Sequence, residues 1–424
     1  MSEDPIVVTG MGLVTPLGCG VDPVWEALLS GRSGIRANDR FETDDLPTRI
    51  AGLIPDHTEN EFGLDPNSVV SVKDRKKIDL FTLYALAAAE EALTQANWSP
   101  ATQTQKDRTA TIIATGIGGF PAITQAVRTL DSKGPRRLSP FVVPQFLGNL
   151  AAGNISIRYG FRGPIGSPVT ACAAGLQGVG DGMRIIANGE ADVALVGGTE
   201  ACVDRLAIGG FNAARALSTE NDNPETASRP YDSTRSGFVL SEGAGLMVIE
   251  KLSHAKKRGA TPLVILAGYG ASADAYHLTA GPEDGSGHAL AIGRALSHAG
   301  CKADQIGYIN GHATSTPVGD SGEIAALRSI FGESLASTPI SSTKSATGHL
   351  LGAAGSVAAI FSTLAVRTGK LPATLNFKSA DAGNEDLDFI PDLGRTAKID
   401  HALCNAFGFG GVNASLVVKA IDAP

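Results

Sequence analysis

No two of the five cysteines in this sequence are spaced as a pair. Cys19, Cys172, Cys202, Cys301 and Cys404 are odd in number, far apart and free of any C-x-x-C motif. That argues against a disulfide framework and against a zinc site, so no metal is expected and a reducing compartment, the cytoplasm, is the simpler reading. Long apolar runs are also scarce. The longest uncharged stretch that invites a membrane reading, Leu350 to Val366, is short for a span and diluted by Gly352, Gly355, Ser356, Ser362 and Thr363, so a buried helix is expected instead. The start, Met1-Ser2-Glu3-Asp4-Pro5, is acidic where an export signal would be basic, and no export is expected. Positive charge is in deficit: 35 Lys and Arg against 43 Asp and Glu leave a net charge of −8, which disfavours broad nucleic-acid binding. Several catalytic signatures are missing as well. Gly10-Met11-Gly12 and Gly116-Ile117-Gly118 both follow strand patterns, but Thr15 and Pro121 stand where a dinucleotide fingerprint needs glycine. With no Walker loop, G-x-S-x-G elbow or H-E-x-x-H, the hydride-transfer, nucleotide-hydrolysis and serine-esterase readings lose ground together.

Glycine, by contrast, is abundant, at 51 residues of 424, and the surplus sits in doublets such as Gly118-Gly119, Gly197-Gly198, Gly209-Gly210 and Gly410-Gly411. Such doublets suit tight turns and close backbone approach near strand ends. The length suffices for two domains, or for two halves that share an interface. Short β-branched runs alternate with alanine- and glycine-rich helical segments, the pattern of an α/β architecture. Strands are predicted at 6–9, 109–114, 192–196, 245–250, 264–269, 307–310 and 414–419, and helices at 79–96, 172–188, 287–299, 320–331 and 349–368. Leu176, Val179, Met183 and Ile186 share one face of the second helix, which should begin near Cys172. A weak internal echo links 169–175, which leads into that helix, with 345–352, which leads into another. It would put Cys172 and His349 at comparable positions, with a boundary at the charged turn Lys256-Lys257-Arg258-Gly259.

Ala171, Ala173, Ala174 and Gly175 leave space around the Cys172 sulfur at a helix start. There the unpaired N–H groups and the helix dipole should favour thiolate, lowering the pKa from about 8.5 by a unit or more, and could hold a thioester oxyanion. A buried inert thiol is nonetheless the commoner fate of a free cysteine. His312 lies in a turn between an apolar strand and a capped helix, and His349 follows Lys344 by five residues at a second such turn. Such turns are where α/β folds place ligands. His57, His254, His288, His298 and His401 are read as structural or exposed. Lys73, Arg75, Lys76 and Lys77 cluster, as do Arg136 and Arg137, either as a solvated face or as a docking patch for an acidic partner.

Taken in order along the chain, these segments resemble the elongating beta-ketoacyl-[acyl carrier protein] synthases, most closely the type II form. The resemblance spans essentially the whole chain, from Val7-Val8-Thr9-Gly10-Met11-Gly12 through Thr170-Ala171-Cys172-Ala173-Ala174-Gly175, Ser228-Arg229-Pro230-Tyr231-Asp232 and Gly237-Phe238-Val239. It continues past both histidine turns to Asn405-Ala406-Phe407-Gly408-Phe409-Gly410-Gly411-Val412-Asn413. The resemblance implies a thiolase-like fold, two similar α/β halves in a five-layered αβαβα sandwich, with residues 1–258 carrying the cysteine and 259–424 the two histidines and a gating loop. It implies a homodimer that condenses a Cys172-bound acyl group with a malonyl group, both delivered by an acyl carrier protein, in fatty acid elongation. The phosphopantetheine belongs to that partner, so no cofactor of the chain's own is implied. By the same resemblance His312 and His349 stabilise the enolate, Lys344 supports them electrostatically, and Phe409 is a mobile gate whose N–H joins that of Cys172 as an oxyanion donor. Ile117 narrows the acyl tunnel. Thr314, Thr316, Phe407, Gly408, Gly410 and Glu323 take substrate-binding positions, Glu323 with Lys344 or the surroundings of His349 as its partner. Lys73, Lys76, Lys77, Arg136 and Arg137 become the carrier-docking surface.

Two departures stand out. Gly311-His312-Ala313-Thr314 replaces the family's Ala-His-Gly-Thr, which could shift His312 if the usual glycine serves a special backbone angle, and Ser241 replaces the first glycine of Gly-Glu-Gly-Ala-Gly. Competing readings share the scaffold. A ketosynthase of a specialised polyketide or lipid pathway would keep the same residues. A degradative thiolase would need a second cysteine in a comparable motif, an initiating enzyme would have Asn where His349 stands, and a chain-length partner would lack Cys172.

Overall fold

The computed structural model describes residues 4–391 and 393–422; Met1, Ser2 and Glu3 lie outside that range. Ten strands carry the architecture: β1 (Ile6–Thr15), β2 (Thr109–Ala114), β3 (Ile165–Gly166), β4 (Val193–Glu200), β5 (Gly243–Lys251), β6 (Val264–Ala273), β7 (Tyr308–Asn310), β8 (Ile340–Ser341), β9 (His401–Gly408) and β10 (Val412–Lys419). Together with the short strand Gly18–Cys19 paired to β1, they form one 11-stranded sheet in the order β8-β7-β9-β10-β6-β1-β5-β4-β2-β3. The two halves of that sheet are copies of one topology. Numbered within each half, the strands run 3-2-4-5-1, parallel at β2/β3, β2/β4, β7/β8 and β7/β9, antiparallel at β4/β5, β5/β1, β9/β10 and β10/β6. The halves meet along a short antiparallel seam, Val7 opposite Ile265 and Val8 opposite Val264. The faint sequence echo is therefore a repeat of structure.

Eight helices position the rest: α1 (Leu80–Gln95), α2 (Phe120–Lys133), α3 (Leu150–Tyr159), α4 (Ala174–Ala187), α5 (Arg205–Ala213), α6 (Ser286–Ala299), α7 (Pro317–Phe331) and α8 (Ala354–Thr368). Helices α1 and α3 cover the outer face of the first half, α6 the outer face of the second with α7 against it, and α4 and α8 pack against each other between the two halves. These are the five layers of a thiolase-like sandwich. All of α8 from Ala354 to Val366 is buried, and the 18-residue stretch Leu351–Thr368, long and apolar enough to cross a membrane, is 89% buried inside the molecule. It is a core helix, as its diluted sequence implied.

Close helix-to-strand contact explains much of the small-residue content. A Cβ on Gly12 would lie 2.0 Å from the Ala88 carbonyl oxygen and one on Gly10 2.0 Å from that of Ala92, so β1 lies directly on the backbone of the alanine-rich α1. Several expected elements shift. Helix α4 starts at Ala174 rather than at Cys172, because Ala171–Ala173 form a 3₁₀ turn, and α8 starts at Ala354 after a matching 3₁₀ turn at Leu351–Ala353. In both turns the first residue has positive φ, 47° at Ala171 and 46° at Leu351. The structural counterpart of Cys172 is thus Gly352, not His349, which lies three residues earlier. Strand β9 was not anticipated, since His401 to Gly408 holds no β-branched residue and is interrupted by Asn405, whose side chain is satisfied inside the core by Glu323 and Ser415. The turn expected between β5 and β6 is instead a short helix, Leu252–Lys257, followed by Arg258, which pairs with the buried Glu250.

Gly12→Ala should therefore destabilise the fold by about 1–3 kcal/mol through overpacking. Gly209→Ala, on α5 where an added Cβ meets nothing within 4 Å, should stabilise it by about 0.5–1 kcal/mol. Urea unfolding of the two variants against the parent checks both signs.

Candidate active site

The 3₁₀ turn at Ala171–Ala173 sets Cys172 at the mouth of α4, half-buried. The backbone there is strained, because Ala171 is a non-glycine residue in the left-handed region, a conformation costing about 1 kcal/mol or more that persists where the surroundings enforce it. Gly408, at the end of β9, supplies part of that enforcement. A Cβ at Gly408 would sit 3.1 Å from both the Cys172 nitrogen and the Thr170 oxygen, so glycine lets β9 approach the turn without displacing it. The backbone N–H groups of Phe409 and Cys172 both act on the sulfur.

From the second half come two histidines and a lysine. His312 leaves the end of β7 half-buried, while His349 is 3% exposed and is fixed by its own backbone, whose N–H donates to the Val239 carbonyl at 2.8 Å. Their ring centroids are 5.5 Å apart at 81°, Phe407 lies 5.7 Å from His312, and Phe238 meets His349 edge-on at 5.3 Å. Cys172, His312, His349, Ile117, Thr314, Thr316, Phe407, Gly408 and Phe409 all line one cavity of about 630 Å³. Sequence reasoning had named each of these nine.

Others fall elsewhere. Lys344 is 3% exposed behind the cavity and donates from Nζ to the Gly311 carbonyl at 3.3 Å. Gly410 lies outside the lining and bonds to the Leu278 carbonyl at 2.7 Å. Glu323, expected to touch substrate and to partner Lys344 or the surroundings of His349, lies outside the cavity lining, makes no hydrogen bond or ion pair with Lys344 and acts on it only through its charge. Its buried carboxylate accepts the backbone N–H groups of His312 (2.8 Å) and Ala313 (2.7 Å), the Tyr231 hydroxyl (3.0 Å) and the Asn405 amide (3.0 Å). It is the post on which the His312 turn is hung. Asp320 repeats the device one turn of α7 earlier, accepting from the N–H groups of Tyr231 and Thr314, both at 2.9 Å. The Gly311-His312-Ala313 order then has a physical reason. Ala313 has no positive φ, so it needs no glycine, whereas a Cβ on Gly311 would collide with the Tyr231 hydroxyl at 1.9 Å. Ser241 fits as well, donating to the Thr347 carbonyl at 2.7 Å.

The electrostatics differ from expectation at the sulfur. Burial pushes the Cys172 thiol up to about 12, the nearby Glu200 carboxylate adds to the rise, and Lys344 with the Phe409 and Cys172 N–H groups only partly offsets it. The expected drop from a helix terminus does not occur, because desolvation of a thiolate outweighs the dipole of a helix that begins two residues later. Burial, then the cationic Lys344, holds both imidazoles well below their usual value, and burial also lowers Lys344 against the pull of Glu323. The histidines are therefore neutral hydrogen-bonding groups at neutral pH. Each leaves Nδ1 buried without a hydrogen-bond partner. An unpartnered lone pair costs less than an unpartnered N–H, which favours the tautomer with the proton on Nε2.

Sequence reasoning missed two groups. His288, read as structural, lines the cavity with its ring stacked on Phe407 at 3.8 Å and 2°. Glu200, at the end of β4, is fully buried beneath the cysteine turn. Neither stands in a motif that marks chemistry. Of the basic residues, Lys73, Lys76, Arg136 and Arg137 are exposed, and Arg75, Lys76 and Arg137 line a common surface groove beside α2. Lys77 is partly engaged by Asp74 at 2.7 Å. Among the described residues no group of His, Cys, Asp and Glu is arranged to hold a metal ion.

Known proteins resemble the chain along nearly its whole length. Residues 3–255 match the beta-ketoacyl synthase N-terminal domain and residues 263–378 the beta-ketoacyl synthase C-terminal domain. The chain is 48% identical to 3-oxoacyl-[acyl-carrier-protein] synthase 2 of Rhizobium meliloti (strain 1021), with 98% of each chain covered. It is 45% identical to 3-oxoacyl-[acyl-carrier-protein] synthase 2 of Vibrio harveyi, covering 99% of this chain and 100% of that one. Among solved structures it superposes with a TM-score of 0.88 and 32% identity, over 99% of this chain and 100% of the other, on a chain of a type II polyketide synthase acyl-carrier protein in complex with its ketosynthase bound to the hexaketide.

With its thiol held near 12, Cys172 should react with iodoacetamide at a rate that climbs about tenfold per pH unit from 7 to 9, following the thiolate fraction. A plateau below pH 8, read by mass spectrometry of the Cys172 peptide, would contradict the burial argument.

Proposed function

The chain belongs to the beta-ketoacyl synthase family and carries out that family's decarboxylative condensation in fatty acid elongation, and we propose that Cys172, His312 and His349 divide the reaction between them. In the first half-reaction the Cys172 sulfur attacks an acyl thioester, the carbonyl oxygen is held by the N–H groups of Cys172 and Phe409, and the departing pantetheine thiol takes up the proton that Cys172 loses. In the second, a malonyl thioester enters beside the acyl-cysteine and loses carbon dioxide. The enolate oxygen accepts hydrogen bonds from Nε2 of neutral His312 and His349, and its carbon attacks the acyl carbonyl, releasing the cysteine sulfur. Lys344 steadies the developing negative charge from behind the cavity. The observation that carries this reading is the single cavity shared by the half-buried Cys172 thiol and two neutral imidazoles with unpartnered Nδ1 atoms. Because both substrates arrive as thioesters on an acyl carrier protein, the chemistry asks for no cofactor resident in the chain. Thr314 and Thr316, whose hydroxyl oxygens are 3.2 Å apart on the cavity wall, suit the amide-bearing pantetheine arm. Phe409, 40% exposed and followed by two glycines of positive φ, suits a gate.

The groove lined by Arg75, Lys76 and Arg137, with Lys73, Lys77 and Arg136 around it, is our proposed seat for the acidic carrier. A homodimer is proposed on the other exposed feature of this region. Val127, Leu130, Val143, Ile157, Ile165 and Val169 are all more than 40% exposed, and Ile165 lies in β3, the free edge of the sheet. Cytoplasmic residence is proposed from the need to keep Cys172 reduced, all five cysteines being free.

Incubation with acyl-loaded carrier should add one acyl group to the Cys172 peptide by mass spectrometry, and none after Cys172→Ala. An adduct elsewhere would defeat the nucleophile assignment. His312→Ala and His349→Ala should lower malonyl decarboxylation by about 10²–10³-fold while acyl loading changes far less; equal loss of both steps would point to misfolding. Reversing Lys76 and Arg137 to Glu should raise KM for carrier-bound substrate by about tenfold, with an effect that shrinks in high salt, and leave turnover of coenzyme A thioesters unchanged.

A further inference from the structure

Beneath the cysteine turn lies a carboxylate that the reaction described above does not use. Glu200 ends β4 with no exposed surface, and each of its oxygens takes two hydrogen bonds. Oε1 accepts from the Thr115 hydroxyl (3.0 Å) and the Cys202 thiol (3.2 Å), and Oε2 from the backbone N–H groups of Gly116 (2.7 Å) and Gly352 (3.1 Å). Two of these donors are peptide N–H groups, which can only donate. The Thr115 hydroxyl itself accepts from the Gly118 N–H at 3.0 Å, so its hydrogen is free to point at the carboxylate. Burial raises the Glu200 carboxyl above its usual value, and the hydrogen bonds from Cys202, Gly116, Gly352 and Thr115 oppose that rise; a proton on Oε2 would face donors alone, so these four donors favour the ionised form. The neighbouring glycines are cut to match: a Cβ on Gly116 would come within 2.5 Å of Oε2, and one on Gly352 within 2.7 Å. Gly116 precedes Ile117 on the cavity wall, and Gly352 is the structural counterpart of Cys172 in the second half. One carboxylate thus ties the acyl-pocket loop of the first half to the histidine-bearing turn of the second, directly under the nucleophile.

We propose that Glu200 is a positioning residue that adds to burial in disfavouring the Cys172 thiolate before substrate arrives, while locking together the two turns that frame it. The proposal rests on Cys172 being the nucleophile. No cation pairs with Glu200 among the described ion pairs, so its charge is exposed to the sulfur without a counter-ion of its own. The other charged or titratable groups around the two residues are Lys344, which favours thiolate, the neutral His312 and His349, the Cys202 thiol, and the more remote Asp79 and Glu242. A thiol held protonated resists oxidation and stray alkylation, and the thiolate that forms during acyl transfer is the more nucleophilic for its high proton affinity. Loading then coincides with the passage of the Cys172 proton to the leaving thiol.

The test is the pH dependence of iodoacetamide labelling at the Cys172 peptide, which needs no condensation activity and stays interpretable whether or not acyl transfer occurs there. Removing the charge by Glu200→Gln should speed labelling about three- to tenfold at every pH from 7 to 9, the net of a thiol midpoint lowered by about one unit and a slightly weaker nucleophile. Glu200→Asp, which disturbs the same hydrogen bonds but keeps the charge, should stay within about twofold of the parent. If the glutamine variant does not fold, Cys202→Ser carries the test, because a hydroxyl draws charge from Oε1 more strongly than a thiol and should speed labelling by about twofold. Equal acceleration by Asp and Gln, or no acceleration by Gln or by Cys202→Ser, overturns the proposal. Loss of the acyl adduct at Cys172 would instead overturn the reading on which it rests.

Discussion

Everything at the active centre depends on how closely the two central helices approach at their amino ends. Helices α4 and α8 belong to different halves of the chain, yet a Cβ on Gly175 would lie 2.7 Å from the Gly352 carbonyl oxygen, one on Gly198 2.5 Å from the same atom, and one on Gly355 2.8 Å from the Leu176 Cβ. No larger residue fits at these points without moving backbone. That contact brings the Cys172 turn of one half against the His349 turn of the other. The cavity exists because the two copies of one topology are joined face to face through glycine.

Neutrality is the second constraint, and it follows from the first. Enclosure by that packing strips most of the water from these groups, so desolvation comes first among the causes acting on Cys172, His312, His349 and Lys344, and in each it disfavours the charged form. The carboxylates of this region are saturated by hydrogen bonds: Glu323 and Asp320 under the His312 turn, Glu200 under the cysteine. Their acceptors are spent on backbone N–H groups and on neighbouring hydroxyl, amide and thiol donors, which sets loop geometry.

Much of this was legible in the sequence. The cysteine and histidine turns could be found because chemistry-bearing side chains stood between strand and helix patterns among small residues, and the repeat was visible as a faint echo of turn followed by long small-residue helix. Its register was not, because the equivalence runs through 3₁₀ turns whose first residues, Ala171 and Leu351, adopt a left-handed backbone that their identity does not advertise. Strand β9 was missed since its polar Asn405 finds its partners only in the folded core. The thiol's acidity was misjudged for a related reason: a helix start is local and readable, whereas burial and the Glu200 charge come from residues distant in the chain. His288 is read from sequence as structural or exposed because a histidine on a helix carries no sign that its ring will lie flat on Phe407 inside the cavity.

The central claim is that the Cys172 sulfur, the two N–H donors and the two imidazoles converge on one substrate. A crystal structure of the chain trapped with a non-hydrolysable acyl group tests this most directly. Continuous density should run from the Cys172 sulfur into the cavity past Ile117, with the acyl oxygen within hydrogen-bond distance of the Cys172 and Phe409 nitrogens and both histidine rings facing the space left for the second substrate. An acyl chain leading away from the histidines, or a carbonyl oxygen directed at neither backbone nitrogen, would contradict it.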